Sequence, residues 1–82
     1  MVQKYRKKPI VVEALMYTGT NYSELAEFCE GIFIDRGNNV VIETPEGRMR
    51  ARQFDYIIKG IKGEVYPCDR EIFHETYEEV ED

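Results

Sequence analysis

Three arginines at alternate positions form the pattern in this chain best suited to ligand binding. Arg48, Arg50 and Arg52 stand in the segment Arg-Met-Arg-Ala-Arg, and alternate side chains of a β-strand point to one face of the sheet. A row of planar guanidinium groups offers the donor geometry that phosphate and carboxylate oxygens accept. The segment therefore predicts an anion-binding face, and Lys59 and Lys62 would add positive charge nearby.

A tyrosine beside this row would give a nucleobase a surface for stacking. The candidate ligand-binding set is therefore Arg48, Arg50, Arg52, Tyr56, Lys59 and Lys62. A second interpretation stays open, in which the arginines lie on a solvated outer face and Glu43 balances their charge across a hairpin. Aromatic residues in such a segment also serve more often as core and rim than as a stacking platform.

Residues suited to catalysis or metal binding are few. His74 is the only histidine and lies in a glutamate-rich segment, which is typical of an exposed or carboxylate-paired imidazole and not of a general base. Cys29 and Cys68 lack CxxC spacing, and two cysteines with one histidine cannot close a zinc site without a carboxylate. We predict a non-enzymatic protein with no metal and no cofactor, whose thiols stay reduced in the cytoplasm.

Charge is distributed unevenly along the chain, although the net charge is only −5. Residues 1–8 carry four cations and no acid, whereas residues 69–82 carry seven acids and one arginine. Either the two ends lie together and attract weakly through solvent, or one of them contacts a partner. The acidic total, with a sequence pI near 4.9, disfavours nucleic acid as that partner, because phosphate contacts dominate such binding.

Length and composition predict one domain over residues 1–82. A chain of 82 residues that is 43% hydrophobic and 33% charged has apolar material for one core, and the narrow stability of such a core leaves room for a homo-oligomer. The longest apolar run, Pro9 to Val12, is too short to cross a bilayer. We expect a cytoplasmic protein that makes no membrane contact.

The first half of the chain predicts a strand followed by a helix. The run from Pro9 to Tyr17 is rich in β-branched residues, which favour a strand. Apolar residues then recur at helical spacing over residues 22–30, with Asn21 and Glu24 as a capping pair and Gly31 as the stop. The apolar face of this helix is predicted to comprise Tyr22, Leu25, Ala26, Phe28 and Cys29.

The second half predicts short strands joined by tight turns. Strands are expected at 32–34, 40–44, 48–52, 56–59 and 64–66, with Met49 and Ala51 facing the core. Pro67 to Asp69 should break the sheet before a short helix near 69–75 and an extended end over 76–80. The fold class is thus α+β, with one helix of about 22–30 packed on a small antiparallel sheet of five to six strands.

Three segments carry a resemblance to known proteins. The start Lys-Tyr-Arg-Lys-Lys-Pro-Ile-Val-Val-Glu-Ala, the Tyr-Thr-Gly at 17–19 and the end of the chain from Asp55 onward resemble small proteins of phages and prophages that generally have no assigned function. The chain departs from their pattern at Gln53-Phe54, where similar proteins often have a Pro-Gly turn. The resemblance implies expression in an infected bacterial cell and brings no catalytic residue with it.

Small size and the lack of catalytic groups favour a binding function. The first hypothesis is a phage accessory protein that binds and blocks a host factor, such as a component of antiviral defence. The alternative is a protein that sequesters a nucleotide or another anionic small molecule through its arginine and tyrosine surface, as an oligomer that forms the pocket between subunits.

Overall fold

The computed structural model describes residues 1–6 and 8–80 and confirms the α+β class. The described elements follow in the order β1 (Glu13–Met16), α1 (Tyr22–Phe28), β2 (Ile32–Ile34), β3 (Val40–Thr44), β4 (Gly47–Ala51), β5 (Tyr56–Lys59), β6 (Val65–Cys68) and α2 (Arg70–Thr76). The predicted single sheet is wrong. The strands form two three-stranded antiparallel sheets, in the orders β1-β5-β6 and β2-β3-β4.

Two sheets form because the chain turns sharply after β4. Ala51 still pairs with Val40 of β3, whereas Tyr56 pairs with Met16 of β1. The sheets then close on one another, with β6 packed against β3 and β4. The apolar side chains that both sheets and α1 bury form one cluster, comprising Tyr17, Leu25, Cys29, Val40, Ile42, Ala51 and Ile57.

Strand β1 is shorter than the predicted segment 9–17. Its register runs from Glu13 opposite Lys59 to Met16 opposite Tyr56, so the four residues of β5 define its length. Pro9 to Val12 therefore precede the strand and belong to neither a strand nor a helix.

Helix α1 is confirmed, but it ends at Phe28, two residues earlier than predicted. Cys29 already has extended backbone angles (φ −150°, ψ 159°), and Gly31 then takes φ +77°. The predicted capping pair is wrong, because the Asn21 side-chain oxygen accepts from the Thr18 N–H (2.9 Å) and not from the helix. The predicted apolar face is also only partly buried, since Ala26 is exposed.

The β3–β4 hairpin is confirmed, with Thr44 opposite Gly47. Its returning strand runs over 47–51 instead of 48–52. Ala51 faces the core as predicted and is fully buried. Met49 was also predicted to face the core, and it lies opposite Ile42 of the buried cluster. It is nevertheless 41% exposed, because β4 is an edge strand.

Strand β6 differs from prediction because it includes Pro67. Pro67 does not break the sheet, because it lies in β6 opposite Ile57, on an edge strand where a missing N–H is tolerated. The predicted short helix near 69–75 is confirmed as α2. The prediction of an extended segment over 76–80 is wrong at Thr76, which is the last residue of α2. Residues 77–80 belong to neither a helix nor a strand. Among the described residues, no helix has the length and apolarity to cross a bilayer.

Candidate functional site

The six predicted site residues are divided among different parts of the surface. Arg48 and Arg50 project from β4, on the outer face of the second sheet. Arg52 follows β4 and lines a separate cleft. Tyr56 and Lys59 stand at the two ends of β5, and Lys62 lies in the turn after it.

The outer face of the second sheet balances its own charges. Arg48 Nη2 lies 3.4 Å from Glu43 Oε1, and the Arg48 guanidinium carbon is 5.5 Å from the centre of the Phe33 ring. Arg50 Nε lies 2.9 Å from Asp35 Oδ2. These contacts favour the interpretation of a balanced outer face for Arg48 and Arg50, including the pairing with Glu43 expected from the sequence. A shallow groove of about 270 Å³ remains beside them.

The Asp35 carboxylate accepts backbone hydrogen bonds in addition to its ion pair with Arg50. Its Oδ1 accepts from the N–H groups of Gly37 (2.9 Å) and Asn39 (3.0 Å). The backbone hydrogen bond from Asn39 is the largest cause of a lowered pKa of the Asp35 carboxyl, and Gly37 and Arg50 add to it while burial opposes it. The carboxylate thus organises the β2–β3 turn as well as pairing with Arg50.

The side chains of Tyr56 and Lys59 each contact an aromatic ring, and Lys62 makes a backbone hydrogen bond. The Tyr56 ring stacks on Phe73 with centroids 3.8 Å apart and an interplanar angle of 7°. Lys59 Nζ lies 5.0 Å from the centre of the Phe28 ring, and the backbone N–H of Lys62 donates to Glu64 Oε2 (3.2 Å). The Tyr56 ring, packed on α2, is a support for that helix more than an open stacking surface.

A cleft of about 550 Å³ lies where the turn between the two sheets meets α2. Three segments meet there: the β2–β3 turn at 37–39, the β4–β5 turn at 52–55, and the start of α2 at 69–71. Of the predicted site residues, only Arg52 lines this cleft. The cleft exists because the two sheets and α2 converge on the turn that separates the sheets.

That turn has an unusual backbone. The Asp55 N–H donates to the Arg52 carbonyl (3.0 Å) and closes a four-residue turn, while Asp55 Oδ2 accepts from the Arg52 N–H (2.8 Å). Phe54, at the third position, has φ +76°. Positive φ at this position defines a type II turn, which normally requires glycine or asparagine. A phenylalanine here has a strained conformation, and its ring is 44% exposed.

The strained turn is fastened to the end of β1. The Phe54 N–H donates to the Tyr17 carbonyl (2.5 Å), and the Tyr17 N–H donates to the Asp55 carbonyl (2.9 Å). Gln53 Nε2 also donates to the Thr18 carbonyl (2.9 Å). Surrounding bonds therefore determine the backbone of Phe54, which is the condition under which such strain persists.

Tyr17 also fixes the opposite wall of the cleft. Its ring is 1% exposed, and its hydroxyl donates to the Asn38 carbonyl (2.8 Å). Asn38 takes φ +61° and donates from Nδ2 to the Gly19 carbonyl (3.0 Å). Burial, followed by the nearby Asp35 charge, raises the pKa of Tyr17, so its hydroxyl stays protonated and can donate this bond.

Helix α2 supplies the third wall. Asp69 Oδ1 caps it by accepting from the N–H groups of Glu71 (2.9 Å) and Ile72 (3.2 Å). The Arg70 guanidinium carbon lies 5.9 Å from the centre of the Phe54 ring, within the range of a cation–π contact. Phe73 holds the helix on the first sheet through Tyr56 and also stacks with Tyr77 at 5.0 Å.

The lining of the cleft carries charges of both signs. It includes the cations Arg52 and Arg70 and the carboxylates of Asp55, Asp69 and Glu71. His74 is exposed, with Nε2 3.5 Å from the Tyr56 hydroxyl, and burial raises the pKa of the Cys29 thiol. Within residues 1–6 and 8–80 no group of three His, Cys, Asp or Glu side chains is placed to hold a metal.

Sequence reasoning did not single out Phe54, Arg70 or Asn38 as site residues. Asn38 stands in Asp-Arg-Gly-Asn-Asn between two predicted strands, a composition typical of a turn, but no local pattern indicates that it would meet the turn at 52–55. Arg70 stands in an acidic stretch and was counted only as charge. The available signal for Phe54 was the need for a turn between β4 and β5 in a segment without glycine or proline.

No protein family, curated protein or solved structure matches the chain.

Proposed function

We propose that the chain is a non-enzymatic binding protein that engages another protein through the cleft around Phe54. The observation that carries this proposal is an exposed aromatic ring on a strained backbone: Phe54 is 44% exposed at φ +76°. For a residue with a β-carbon, left-handed backbone costs about 1–2 kcal/mol. Strain of this kind concentrates at binding sites, where the strained residue makes contacts that a relaxed one would not make.

The residue types in the cleft are typical of a surface that binds another protein. Phenylalanine, tyrosine and arginine are enriched at protein interfaces, and tyrosine and arginine are common among the residues that contribute most to binding. Phe54 and Arg70 form such a pair, with the guanidinium 5.9 Å from the ring centre. Asn38, Arg52 and Glu71 surround the pair with groups that can hydrogen-bond at the rim of an interface.

Charge favours a protein over an anionic small molecule. A volume of about 550 Å³ lies in the range of ligand pockets, roughly 300–1,000 Å³, so size alone does not decide. The lining holds two cations and three acids, and Phe54 is its one large apolar residue, whereas small-molecule pockets are mostly apolar. Sequestration of a nucleotide is also less well supported because Arg48 and Arg50 already contact carboxylates.

The partner we propose is a protein of the bacterial host cell, in line with the phage-like sequence pattern. Occupation of its surface by this chain would block it, and a component of antiviral defence is the target class expected. Recognition requires no chemical step, since Phe54 inserts into a pocket of the partner while Arg52 and Arg70 pair with its acidic groups.

Photo-crosslinking tests the proposal at single-residue resolution. Benzoylphenylalanine in place of Phe54 puts the reactive group in the cleft, and the same group at Phe33, which is 38% exposed on the outer face of the second sheet, is the matched control. In bacterial cells we expect a discrete protein adduct from position 54 that weakens when Arg70→Glu is added. An equal adduct pattern from position 33, or a small molecule retained in native mass spectrometry with no protein adduct, would contradict the proposal.

A further inference from the structure

The edge strands of the two sheets, β1, β6, β2 and β4, differ in what occupies their free edges. The edge of β1 carries a bond from Asn21 Nδ2 to the Met16 carbonyl (2.8 Å). The edge of β2 carries a bond from the Tyr22 hydroxyl to the Ile32 carbonyl (3.1 Å). Strand β6 contains Pro67, which has no N–H to donate. Features of this kind keep a strand edge from pairing with other chains.

Strand β4 lacks such a feature within residues 1–6 and 8–80. Its residues 47–50 are all exposed, and no described side chain bonds to the backbone of Arg48 or Arg50. Of the four edges, that of β4 is therefore the most open to pairing with a strand of another protein.

The register shows which backbone groups of β4 point outward. The Glu43 N–H donates to the Gly31 carbonyl (3.2 Å), so Glu43 bonds toward β2 and not to Arg48, the residue opposite it on β4. Hydrogen-bonded and non-hydrogen-bonded pairs alternate along an antiparallel ladder. The N–H and carbonyl groups of Arg48 and Arg50 therefore face away from β3, toward the free edge.

We propose that an extended, acidic segment of another protein binds this edge and adds a strand to the sheet β2-β3-β4. In this mode main-chain hydrogen bonds give affinity and alternate side chains give specificity. Arg48 and Arg50 share the outer face of the sheet, with side chains 70% and 63% exposed. Acids at two alternate positions of the added strand would lie opposite them, with an apolar residue opposite Met49. This inference goes beyond the binding function of the cleft and does not depend on it.

The charges of β4 favour an acidic partner. The strand Gly-Arg-Met-Arg-Ala carries two cations and no acid. Arg48 Nη2 lies 3.4 Å from Glu43 Oε1, and both side chains are more than half exposed. A guanidinium has five N–H donors, so Arg48 can contact Glu43 on one side and an acid of the added strand on the other.

The same charges disfavour a second copy of this chain as the added strand. In an antiparallel pair of β4 strands, the outward-facing residues of one copy lie opposite the outward-facing residues of the other. Pairing about Met49 therefore sets Arg48 of each copy opposite Arg50 of the other. Like charges directly opposite each other are destabilising, so the two arginines select a different, acidic strand.

Two synthetic peptides test the proposal by NMR titration of the full chain: Ser-Thr-Glu-Val-Glu-Thr-Ser and Ser-Thr-Lys-Val-Lys-Thr-Ser. We expect the acidic peptide to bind with a dissociation constant of about 1 mM or lower and to shift the backbone amides of Arg48 and Arg50 most. The lysine peptide should bind roughly tenfold more weakly. Phe54→Gly should leave both affinities unchanged, because the cleft is not used.

Two variants at one position separate backbone pairing from charge. Arg50→Pro and Arg50→Thr both remove the guanidinium, but only proline also removes the outward N–H. Pro67 is accommodated in β6 opposite Ile57, so an edge strand of this fold tolerates proline. We expect Arg50→Pro to bind the acidic peptide roughly fivefold more weakly than Arg50→Thr, with a cooperative unfolding transition in both variants.

The outcomes that would overturn the proposal are equally specific. They are no saturable binding of the acidic peptide by the wild-type chain up to about 5 mM, equal affinity for the two peptides, or equal affinity of folded Arg50→Pro and Arg50→Thr. Loss of peptide binding in Phe54→Gly would also overturn it, because the peptide would then occupy the cleft.

Discussion

The guanidinium carbon of Arg70 lies 5.9 Å from the centre of the Phe54 ring. Phe54 belongs to the turn between the two sheets, and Arg70 is the first residue of α2. Their contact joins elements that are not neighbours in the chain, and both residues line the cleft of about 550 Å³. Substitutions that change the stability of the fold can therefore be distinguished from substitutions that change binding at the cleft.

The strain at Phe54 predicts an unusual order of stability. Phe54→Gly and Phe54→Ala both remove the ring, but only glycine adopts φ +76° without a steric cost. We expect the glycine variant to be more stable than the alanine variant by about 1 kcal/mol, because left-handed backbone costs alanine about that much. Chemical denaturation of both variants measures the difference, and an alanine variant at least as stable as the glycine variant would show that the turn is unstrained.

Exchange of Asn and Asp should cost stability at the N-cap position of α1 but not at that of α2. Asn21 Nδ2 donates to the Met16 carbonyl (2.8 Å) and to Glu24 Oε1 (3.0 Å), and a carboxylate can donate neither bond. Asn21→Asp should therefore lower the free energy of unfolding by about 1–2 kcal/mol.

Asp69 provides the matched control, because it only accepts bonds from the start of α2. Asparagine keeps that acceptor, so Asp69→Asn should change stability by less than about 0.5 kcal/mol. Thermal unfolding of both variants makes the comparison. Equal losses at the two positions would mean that Asn21 acts as an ordinary cap.

Tyr17 should contribute through its hydroxyl as well as through its ring. Tyr17→Phe removes the bond to the Asn38 carbonyl (2.8 Å) and should cost about 1 kcal/mol. Tyr5→Phe removes a hydroxyl that bonds the exposed Gln3 side chain and should cost almost nothing. Urea denaturation measures both costs, and a neutral Tyr17→Phe would show that the hydroxyl does not tie the two sheets together.

Asp35 predicts a specific dependence of stability on pH. Its pKa is lowered in the folded chain, chiefly by the hydrogen bond from the Asn39 N–H, so the unfolded chain binds this proton more tightly. The carboxylate therefore stabilises the fold above the usual pKa of about 4, and this contribution disappears as the pH falls through the lower folded value. Asp35→Asn should flatten the fall of the unfolding free energy below about pH 4.

The control for this titration is Glu46→Gln, which removes one carboxylate from the exposed turn of the β3–β4 hairpin. It should leave the acid dependence close to that of the wild-type chain. Denaturation midpoints from pH 2 to pH 7 test the pair. A slope for Asp35→Asn as steep as that of the wild type would contradict the assignment.

Local patterns predicted most of the elements. Helix α1, the β3–β4 and β5–β6 hairpins and the Asp69-capped helix follow from periodicity, turn residues and caps that lie within a few residues of one another. The prediction that Pro67 breaks the sheet was wrong, because the missing N–H of a proline matters only where a neighbouring strand would accept a hydrogen bond from it. It lies on an edge strand, and edge position is not a local property.

The division into two sheets and the position of the cleft could not be predicted from the sequence, because both depend on contacts between residues far apart in the chain. Phe54 takes φ +76° in a turn held by local bonds between Arg52 and Asp55 and by bonds to Tyr17. The bonds to Tyr17 require the end of β1 to lie beside the start of β5. Arg48 and Arg50 share one face of β4, but Arg52 lies beyond the end of the strand. Asp35, which pairs with Arg50, follows another strand and stands 15 positions earlier. Contacts across such separations depend on topology, which no local pattern specified.

The most direct test of the binding function is quantitative capture of a partner from bacterial lysate by three forms of the chain. Wild type and Ile61→Ser, which alters a 64% exposed apolar residue in the β5–β6 turn, should retain the same partner protein equally. Phe54→Gly, although well folded, should retain less than a tenth as much. Equal retention by Phe54→Gly, or no specific protein retained by the wild type, would contradict the proposal that this cleft binds a protein.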